Sequence, residues 1–316
     1  MTYLRSDMKS VSDPAYLQGI KQHLRDQFRW EGRTVSEIRQ AEEAAIAALP
    51  ALEGAEAERA EGSPVPAEWV TSHGIKAEDA PVVLYLHGGG FIAGSCATHR
   101  DLAARLSRAS GARVLVPAYR LAPEHLYPAA GEDAMAAYRW LLGSGIPAAS
   151  VVIGGDSAGG TLALMTLLAL RDAGEPLPAG ALLLSPHTDF VRYDSPTYVN
   201  RADRDPTGSL DSSKRCAQAY TGGVGLVPPA LSPLSQDLRR LPPLLIQVGG
   251  EEVLLGECEA FAQQAAKAGT EAALEVWEGM WCVFQQLAAM VPEGALAIER
   301  AGTFIQERTA GRPKRG

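Results

Sequence analysis

The apolar residues of the chain fall into short runs that alternate with longer stretches of helical spacing from residue 82 onward. The short runs are rich in Val, Leu and Ile, and they predict strands that are buried on both faces. Strands that alternate with helices form a mostly parallel sheet with helices packed on either side. We therefore predict an α/β fold. The predicted strands are Val82–Leu86, Val114–Val116, Val151–Ile153, Ala181–Leu184, Leu244–Val248 and Leu274–Val276.

The N-terminal part of the chain has a different pattern. Between Tyr16 and Leu49 the apolar residues keep helical spacing, and a Gly-Ser-Pro break then follows. Such a pattern predicts helices outside the sheet, so we assign residues 1–66 to a helical cap segment and residues 67–316 to the α/β domain. Around residues 190–233 the alternation gives way to Asp, Ser, Pro and Gly, which predicts an insertion that covers a pocket.

Composition narrows the function classes. The 316 residues are 46% hydrophobic, which is enough for one large core, and the net charge is −8. Because nucleic acids and anionic lipids attract clustered Lys and Arg, neither is expected as a partner. The sequence has neither an apolar run of membrane-spanning length nor a secretory leader, so we predict a cytoplasmic protein. Its four cysteines lack Cys-x-x-Cys spacing, which argues against a zinc site and a disulfide framework.

A serine flanked by glycines follows the predicted strand Val151–Ile153, in the sequence Gly155-Asp156-Ser157-Ala158-Gly159, and an apolar helical run comes next. This strand-turn-helix context is typical of a nucleophile elbow. The glycines permit a tight turn, and the helix N-terminus offers positive potential to a developing oxyanion. A phosphate-binding loop is the alternative, but its lysine and spacing are absent. Ser157 is the predicted nucleophile.

A second glycine run, His87-Gly88-Gly89-Gly90, stands at the end of the predicted strand Val82–Leu86. Backbone N–H groups exposed in such a run bind a carbonyl oxygen that becomes negative during acyl transfer. We predict an oxyanion hole formed by the N–H groups of Gly88, Gly89 and Ala158. The role expected for His87 is to shape this loop.

These two motifs, together with Tyr119–His125 and Ser185–Asp189, resemble the hormone-sensitive lipase family of esterases. The resemblance extends from about residue 82 to residue 306. It implies an α/β-hydrolase fold and hydrolysis of small carboxylic esters with short to medium acyl chains, without a metal or organic cofactor. It also implies an acidic residue on the loop after Leu244–Val248, where Glu252 falls, with Glu251 as the near alternative.

The resemblance further implies a histidine just before Val-Phe-Gln near the C-terminus, and this chain has Cys282 there. A neutral thiol is a weak base toward a serine hydroxyl, and a neighbouring carboxylate disfavours its ionisation further. We therefore expect low activity. Three explanations stay open: an engineered substitution, a binding protein on an esterase scaffold, or a base elsewhere. His187, which follows the predicted strand Ala181–Leu184, is the candidate surrogate base.

Two rival functions remain at this point. The plant gibberellin receptors, which resemble the same family, have lost the histidine and bind a ligand, so a non-catalytic protein that binds a small ligand is the main alternative. Against it, binding alone gives no physical reason to keep a strained, exposed serine at position 157. The second rival is hydrolysis of an amide, thioester or carbamate by the same machinery. A homodimer through the C-terminal strand and helix is also a candidate assembly.

Overall fold

The computed structural model describes residues 3–27, 30, 32–78, 80–223 and 225–311, and these form a sheet of nine strands. Its order is β1-β9-β8-β7-β6-β4-β5-β3-β2. The neighbours from β1 through to β5 pair in parallel, whereas β3 pairs antiparallel with both β5 and β2. The strands are β1 Tyr3–Met8, β2 Ala55–Arg59, β3 Ala67–Ser72, β4 Val82–Leu86, β5 Arg113–Pro117, β6 Val151–Asp156, β7 Gly180–Leu184, β8 Leu244–Gly249 and β9 Ala272–Trp277.

Helices cover both faces of this sheet. Alternate residues of β4 point to opposite sides: Leu84 packs in the core cluster that includes α4, α5 and α8, and Val83 packs in the cluster that includes α3 and α9. The predicted α/β architecture is confirmed. The helices are α1 Pro14–Gln27, α2 Val35–Ala47, α3 Cys96–Ser110, α4 Ala129–Gly143, α5 Ala158–Ala173, α6 Thr197–Asn200, α7 Leu210–Thr221, α8 Leu255–Lys267 and α9 Pro292–Thr309. None of the helices in the described ranges is long and apolar enough to cross a membrane.

The six predicted strands all form, as β4 to β9, but β1, β2 and β3 were not predicted. β1 and β2 lie at the two sheet edges and contain no buried residue, and polar residues such as Arg5 and Glu58 fill positions that would be apolar in a central strand. Within the described part of residues 1–66, which we predicted to be a helical segment, the helices are α1 and α2, and β1 and β2 are strands. Residues 1–2 and 312–316, at the outer ends of the two predicted segments, lie outside the described residues.

Two sets of polar contacts fix helix α1 to the rest of the chain. The Glu293 carboxylate accepts the backbone N–H groups of Val11 and Ser12 at 2.8 Å, just before α1. Within α1, the buried Lys21 ammonium lies 2.6 Å from the Glu251 carboxylate. Because Glu251 is on the loop after β8, this ion pair links α1 to the carboxyl edge of the sheet.

Candidate active site

Ser157 lies on the turn between β6 and α5 with φ +50° and ψ −120°. A positive φ is uncommon for a residue other than glycine and needs support from surrounding structure. Two hydrogen bonds supply it: the Ser157 N–H donates to the Leu184 carbonyl at 3.0 Å, and the Ser157 carbonyl accepts the His187 N–H at 3.1 Å. The backbone of the predicted elbow is thus fixed to β7.

The glycines of the turn are required by space. A Cβ at Gly155 would lie 2.4 Å from the Gly159 carbonyl oxygen, and one at Gly159 would lie 2.0 Å from the Leu86 carbonyl oxygen. Both distances are far below van der Waals contact, so a side chain would push β4, β6 and α5 apart. Close approach of these elements therefore explains the Gly-x-Ser-x-Gly pattern.

The glycine loop after β4 differs from the prediction at one residue. The Gly88 N–H donates to the Asp156 carboxylate at 3.0 Å, so it already has a partner inside the protein. Gly89 and Gly90, with φ +105° and +62°, are the loop residues that line the cavity next to Ser157. Ala158 is the first residue of α5, where an N–H has no intrahelical partner. The Gly88 N–H is therefore engaged within the protein, contrary to its predicted role, whereas Gly89 and Gly90 border the cavity.

Asp156 connects the glycine loop to the elbow. Besides the Gly88 N–H, its carboxylate accepts the Tyr85 hydroxyl at 2.9 Å and lies 3.2 Å from Nε2 of His99. Tyr85 and His99 are buried. This network holds the residue before Ser157 and the first glycine of the loop in one fixed arrangement.

His87 has a structural position in the same loop. Its ring stacks on Tyr119 with centroids 4.1 Å apart, and the Tyr119 hydroxyl donates to the His87 carbonyl at 2.6 Å. Burial and the neighbouring His99 lower the pKa of His87 to about 3, so the imidazole is neutral at physiological pH. These contacts agree with a role in shaping the loop.

Cys282 follows β9 and lines the same cavity as Ser157. Burial and the Glu252 carboxyl raise the pKa of the thiol well above its usual value, so the sulfur stays protonated. The next residue, Val283, has φ +53°, and its N–H donates to the Ser185 hydroxyl at 3.0 Å. A β-branched residue rarely takes this conformation. The backbone beside position 282 is thus held in a strained conformation although the side chain there is a thiol.

Glu252 lies on the loop after β8 and is fully buried. Its Oε1 accepts the Gly249 N–H at 3.0 Å, whereas Oε2 has no well-aligned hydrogen-bond donor in the described part of the chain. The Ser185 hydroxyl and the Cys282 thiol also lie within hydrogen-bonding reach of the carboxyl, with less favourable alignment.

Two acidic residues near Glu252 are already satisfied. Glu251, the alternative acid, pairs with Lys21 as described above. Asp205 accepts the N–H groups of Thr207 and Gly208 at one carboxylate oxygen and that of Val253 at the other. Burial, with a contribution from Asp205, raises the pKa of Glu252 well above its usual value. Of these three acids, Glu252 is thus the one with an oxygen that has no well-aligned donor among the described residues.

His187 lines the cavity, but its ring nitrogens face other groups. Nδ1 lies 3.0 Å from the Glu257 carboxylate without good hydrogen-bond alignment, and Nε2 lies 3.2 Å from the Tyr198 hydroxyl. The ring also stacks on Phe190 with centroids 3.6 Å apart. These contacts do not favour His187 as the base for Ser157.

The cavity in front of Ser157 has a volume of about 880 Å³. Its lining is mostly apolar and includes residues from α1, α2 and the segment before α9. Such a cavity accommodates a small organic molecule. Within the described ranges, no three His, Cys, Asp or Glu side chains are arranged to hold a metal ion. Apolar lining residues are Ile20, Leu24, Ala45, Leu49, Leu287 and Met290.

Known proteins with similar sequences and structures were compared with the chain. The sequence profile described as the alpha/beta hydrolase fold matches residues 83–286. A protein named acetyl-hydrolase from Streptomyces hygroscopicus is 44% identical over 243 residues, 77% of this chain and 80% of that protein. An esterase from Acinetobacter venetianus is 34% identical over 244 residues, 76% of this chain and 80% of that protein.

Among solved structures, an esterase of the bacterial hormone-sensitive lipase family superposes with a TM-score of 0.89 at 40% identity. The match covers 95% of this chain and 100% of that one. The chain belongs to the bacterial hormone-sensitive lipase family. In this family member, the cavity brings together Ser157, Gly89, His187 and Cys282 from the predicted set, and Glu252 lies buried close to Cys282.

The cavity of this hormone-sensitive lipase family member also has polar lining residues that no motif predicted, among them the cluster of Glu42, His99 and Gln286. The Gln286 side chain lies 2.9 Å from Nε2 of His99. Burial raises the pKa of Glu42 to about 7, although His99 and the Gly94 N–H act in the opposite direction. Only the position of His99 on the helix after the glycine loop hinted at this cluster, since Glu42 comes from the N-terminal cap.

Proposed function

We propose that the chain is a carboxylic ester hydrolase that uses Ser157 as nucleophile on esters with short to medium acyl chains, and that Cys282 slows it severely. The observation that carries this proposal is the strained Ser157 at the cavity, beside backbone N–H groups that can bind an oxyanion. The names of the relatives, acetyl-hydrolase and esterase, support the same reaction class.

In this mechanism the Ser157 hydroxyl attacks the ester carbonyl, and the N–H groups of Gly89, Gly90 and Ala158 stabilise the negative oxygen. The alcohol leaves, and water then hydrolyses the acyl-enzyme. A base must accept the serine proton in the first step. The neutral thiol of Cys282 does this poorly, so the remaining rate comes from the oxyanion hole and substrate binding, which alone give about 10³- to 10⁴-fold over water in serine proteases.

Hydrolysis of a short p-nitrophenyl ester by matched variants tests the proposal. Cys282→His should raise kcat/KM by about 10²- to 10⁴-fold, the usual contribution of a general base. Cys282→Ser is the matched control, because it is similar in size to cysteine and supplies no base, and it should leave the rate unchanged. Ser157→Ala should abolish the enzymatic rate in either background.

The outcomes separate the alternatives. If Cys282→His and the native chain are equally inert, the non-catalytic binding protein becomes the better account. A rate in the native chain that depends on Ser157 but does not rise with histidine would place the base elsewhere. Cytoplasmic location and homodimer formation stay predictions, and light scattering would measure the second.

A further inference from the structure

Helix α2 contributes one charged group to the mostly apolar cavity in front of Ser157. This helix, which the structure describes in full, lines the cavity with Glu42 and with four apolar residues, Ala41, Ala44, Ala45 and Ile46. Glu42 is only partly buried, so its side chain is accessible from the cavity. A carboxyl group in apolar surroundings is costly unless a hydrogen-bond partner is present. Glu42 is therefore a candidate contact for a polar group of the substrate.

Two more polar side chains line the cavity near Glu42. The charge of His99 acts on the Glu42 carboxyl, and the side-chain nitrogen of Gln286 lies 2.9 Å from Nε2 of His99. An amide NH₂ has two N–H groups, and this contact uses one of them. Among the described residues, the Gln286 amide makes no other hydrogen bond, so its second N–H is available to a ligand. We call Glu42, His99 and Gln286 the polar subsite.

Arg39 fixes α2, and with it Glu42, against the segment that follows the glycine loop. The Arg39 guanidinium donates to the Ile92 carbonyl at 2.7 Å and to the Ala122 carbonyl at 2.9 Å. In the same segment, the Gly94 N–H bonds to the Glu42 carboxyl. The carboxyl is thus held in place before a substrate binds, which lowers the entropy cost of recognition.

The chemistry of the polar subsite favours a hydroxyl group over other polar groups. A carboxyl group has an acceptor oxygen in both of its protonation states, and the free N–H of Gln286 is a donor. A hydroxyl group can donate to the first and accept from the second, whereas an ammonium group has no acceptor for the Gln286 N–H. A carboxylate would be repelled, because Asp156 is a second acidic group whose charge reaches Glu42.

An entirely apolar substrate fits this part of the cavity poorly. An alkyl chain that displaced water from the polar subsite would leave the Glu42 carboxyl and the Gln286 amide with fewer hydrogen bonds. A site with buried polar groups discriminates strongly against an analogue that lacks the matching hydroxyl. The polar subsite therefore selects between esters of equal length.

We infer that the polar subsite binds a hydroxyl group of the substrate, so that the preferred ester has an apolar body and a hydroxyl group away from the ester bond. The inference rests on the proposed function of Ser157 and names the substrate class of that site. The Glu42 carboxyl accepts the hydroxyl proton in a hydrogen bond, and the Gln286 N–H donates to the hydroxyl oxygen. Both residues determine specificity and take no part in the proton transfers of hydrolysis.

Binding is tested first, in the Ser157→Ala variant, where turnover does not interfere. Trp30 and Trp281 line the cavity, so tryptophan fluorescence reports the binding of a ligand. The ligands are ω-hydroxyalkyl acetates and ethyl ω-hydroxyalkanoates of increasing length, each paired with the ester that has a methyl group in place of the hydroxyl. In at least one series, the hydroxyl should lower Kd by about tenfold at the best length. No preference for the hydroxyl in either series overturns the inference.

Variants of α2 then assign the preference to Glu42. In the Ser157→Ala background, Glu42→Leu should reduce the ratio of the two Kd values to about one, and Gln286→Leu should reduce it as well. Glu43→Leu is the matched control, because Glu43 is the neighbouring residue on α2, is exposed and does not line this cavity. Equal ratios in the Glu42→Leu and Glu43→Leu variants overturn the inference, as does tighter binding of the ω-amino ester than of the ω-hydroxy ester.

Hydrolysis separates this inference from the esterase proposal. In the Cys282→His variant, kcat/KM should be about tenfold higher for the hydroxylated ester than for its methyl partner, and Glu42→Leu should remove this difference. If Cys282→His hydrolyses both esters equally well, the polar subsite is wrong and the esterase proposal stands. If Cys282→His is inactive, the esterase proposal fails, and the Kd ratios alone decide whether the polar subsite binds a hydroxyl group.

Discussion

The polar groups on the two sides of Ser157, the side of the glycine loop and the side of Cys282, differ in how well their hydrogen bonds are satisfied. On the oxyanion side, Asp156 is bound by the Tyr85 hydroxyl and the Gly88 N–H, and the glycine loop is fixed against β6. On the base side, one oxygen of the buried Glu252 carboxyl has no well-aligned donor within the described ranges, and Cys282 presents a protonated thiol. In the proposed mechanism, different elements therefore hold the groups for charge stabilisation and for proton transfer. A thiol instead of an imidazole at position 282 would then affect the base side and leave the oxyanion side intact.

The largest effect on kcat is expected when the glycine loop is disturbed in a variant that has histidine at position 282. In the Cys282→His background, Gly89→Ala should lower kcat by about 10²- to 10³-fold, the cost of losing one oxyanion donor. Gly89 has φ +105°, and a Cβ there would lie 2.3 Å from the Ala93 carbonyl oxygen, so the loop must move. Gly131→Ala is the matched control, because its Cβ would meet only Met165 at 3.6 Å. Equal rates for both variants would contradict this assignment.

A smaller effect on the rate is expected from a variant of His187, which tests whether this residue acts as the base. His187→Gln should destabilise the fold by about 1–3 kcal/mol, because the buried Glu257 and Tyr198 lose a partner. It should leave the Ser157-dependent rate of the native chain nearly unchanged. Chemical denaturation and ester hydrolysis measure the two quantities. A large loss of rate with full stability would instead make His187 the base.

The next variant removes a hydrogen bond to Asp156 and leaves the residues of the glycine loop unchanged. Tyr85→Phe removes the hydroxyl that donates to Asp156 at 2.9 Å. Loss of a hydrogen bond to a charged group should lower the free energy of unfolding by about 1.5–3 kcal/mol, at the lower end here because the Gly88 N–H and His99 remain. Urea unfolding measures it, and an unchanged midpoint would show that Asp156 does not depend on this bond.

The smallest effect concerns Glu42, which the cap contributes to the cavity. Because the pKa of Glu42 is raised from 4.5 to about 7, the folded state keeps a proton that the unfolded chain releases between these values. Stability attributable to this group is therefore present below pH 4.5 and lost as pH rises through 7. Glu42→Gln should match the native Tm near pH 4.5 and exceed it at pH 8. A Tm difference that is independent of pH would contradict the shift.

Local sequence patterns predicted the parts of the structure that are formed by a few consecutive residues. The elbow at Ser157 and the strands β4 to β9 depend on short apolar runs and flanking glycines. The edge strands β1 and β2 escaped prediction because they are mostly exposed and carry polar residues. The bond from Gly88 to Asp156 joins residues 68 positions apart, and no local pattern encodes it. Glu42 likewise reaches the cavity only through packing of the cap.

A double-variant cycle at positions 282 and 252 measures whether Glu252 is placed to orient a base at position 282, as we propose. Glu252→Gln should hardly change the hydrolysis rate of the native chain, whereas in the Cys282→His background it should lower kcat by about 10²-fold or more, as loss of the orienting acid does in a serine triad. Equal effects of Glu252→Gln in both backgrounds would contradict the claim, because Glu252 would then act independently of the base.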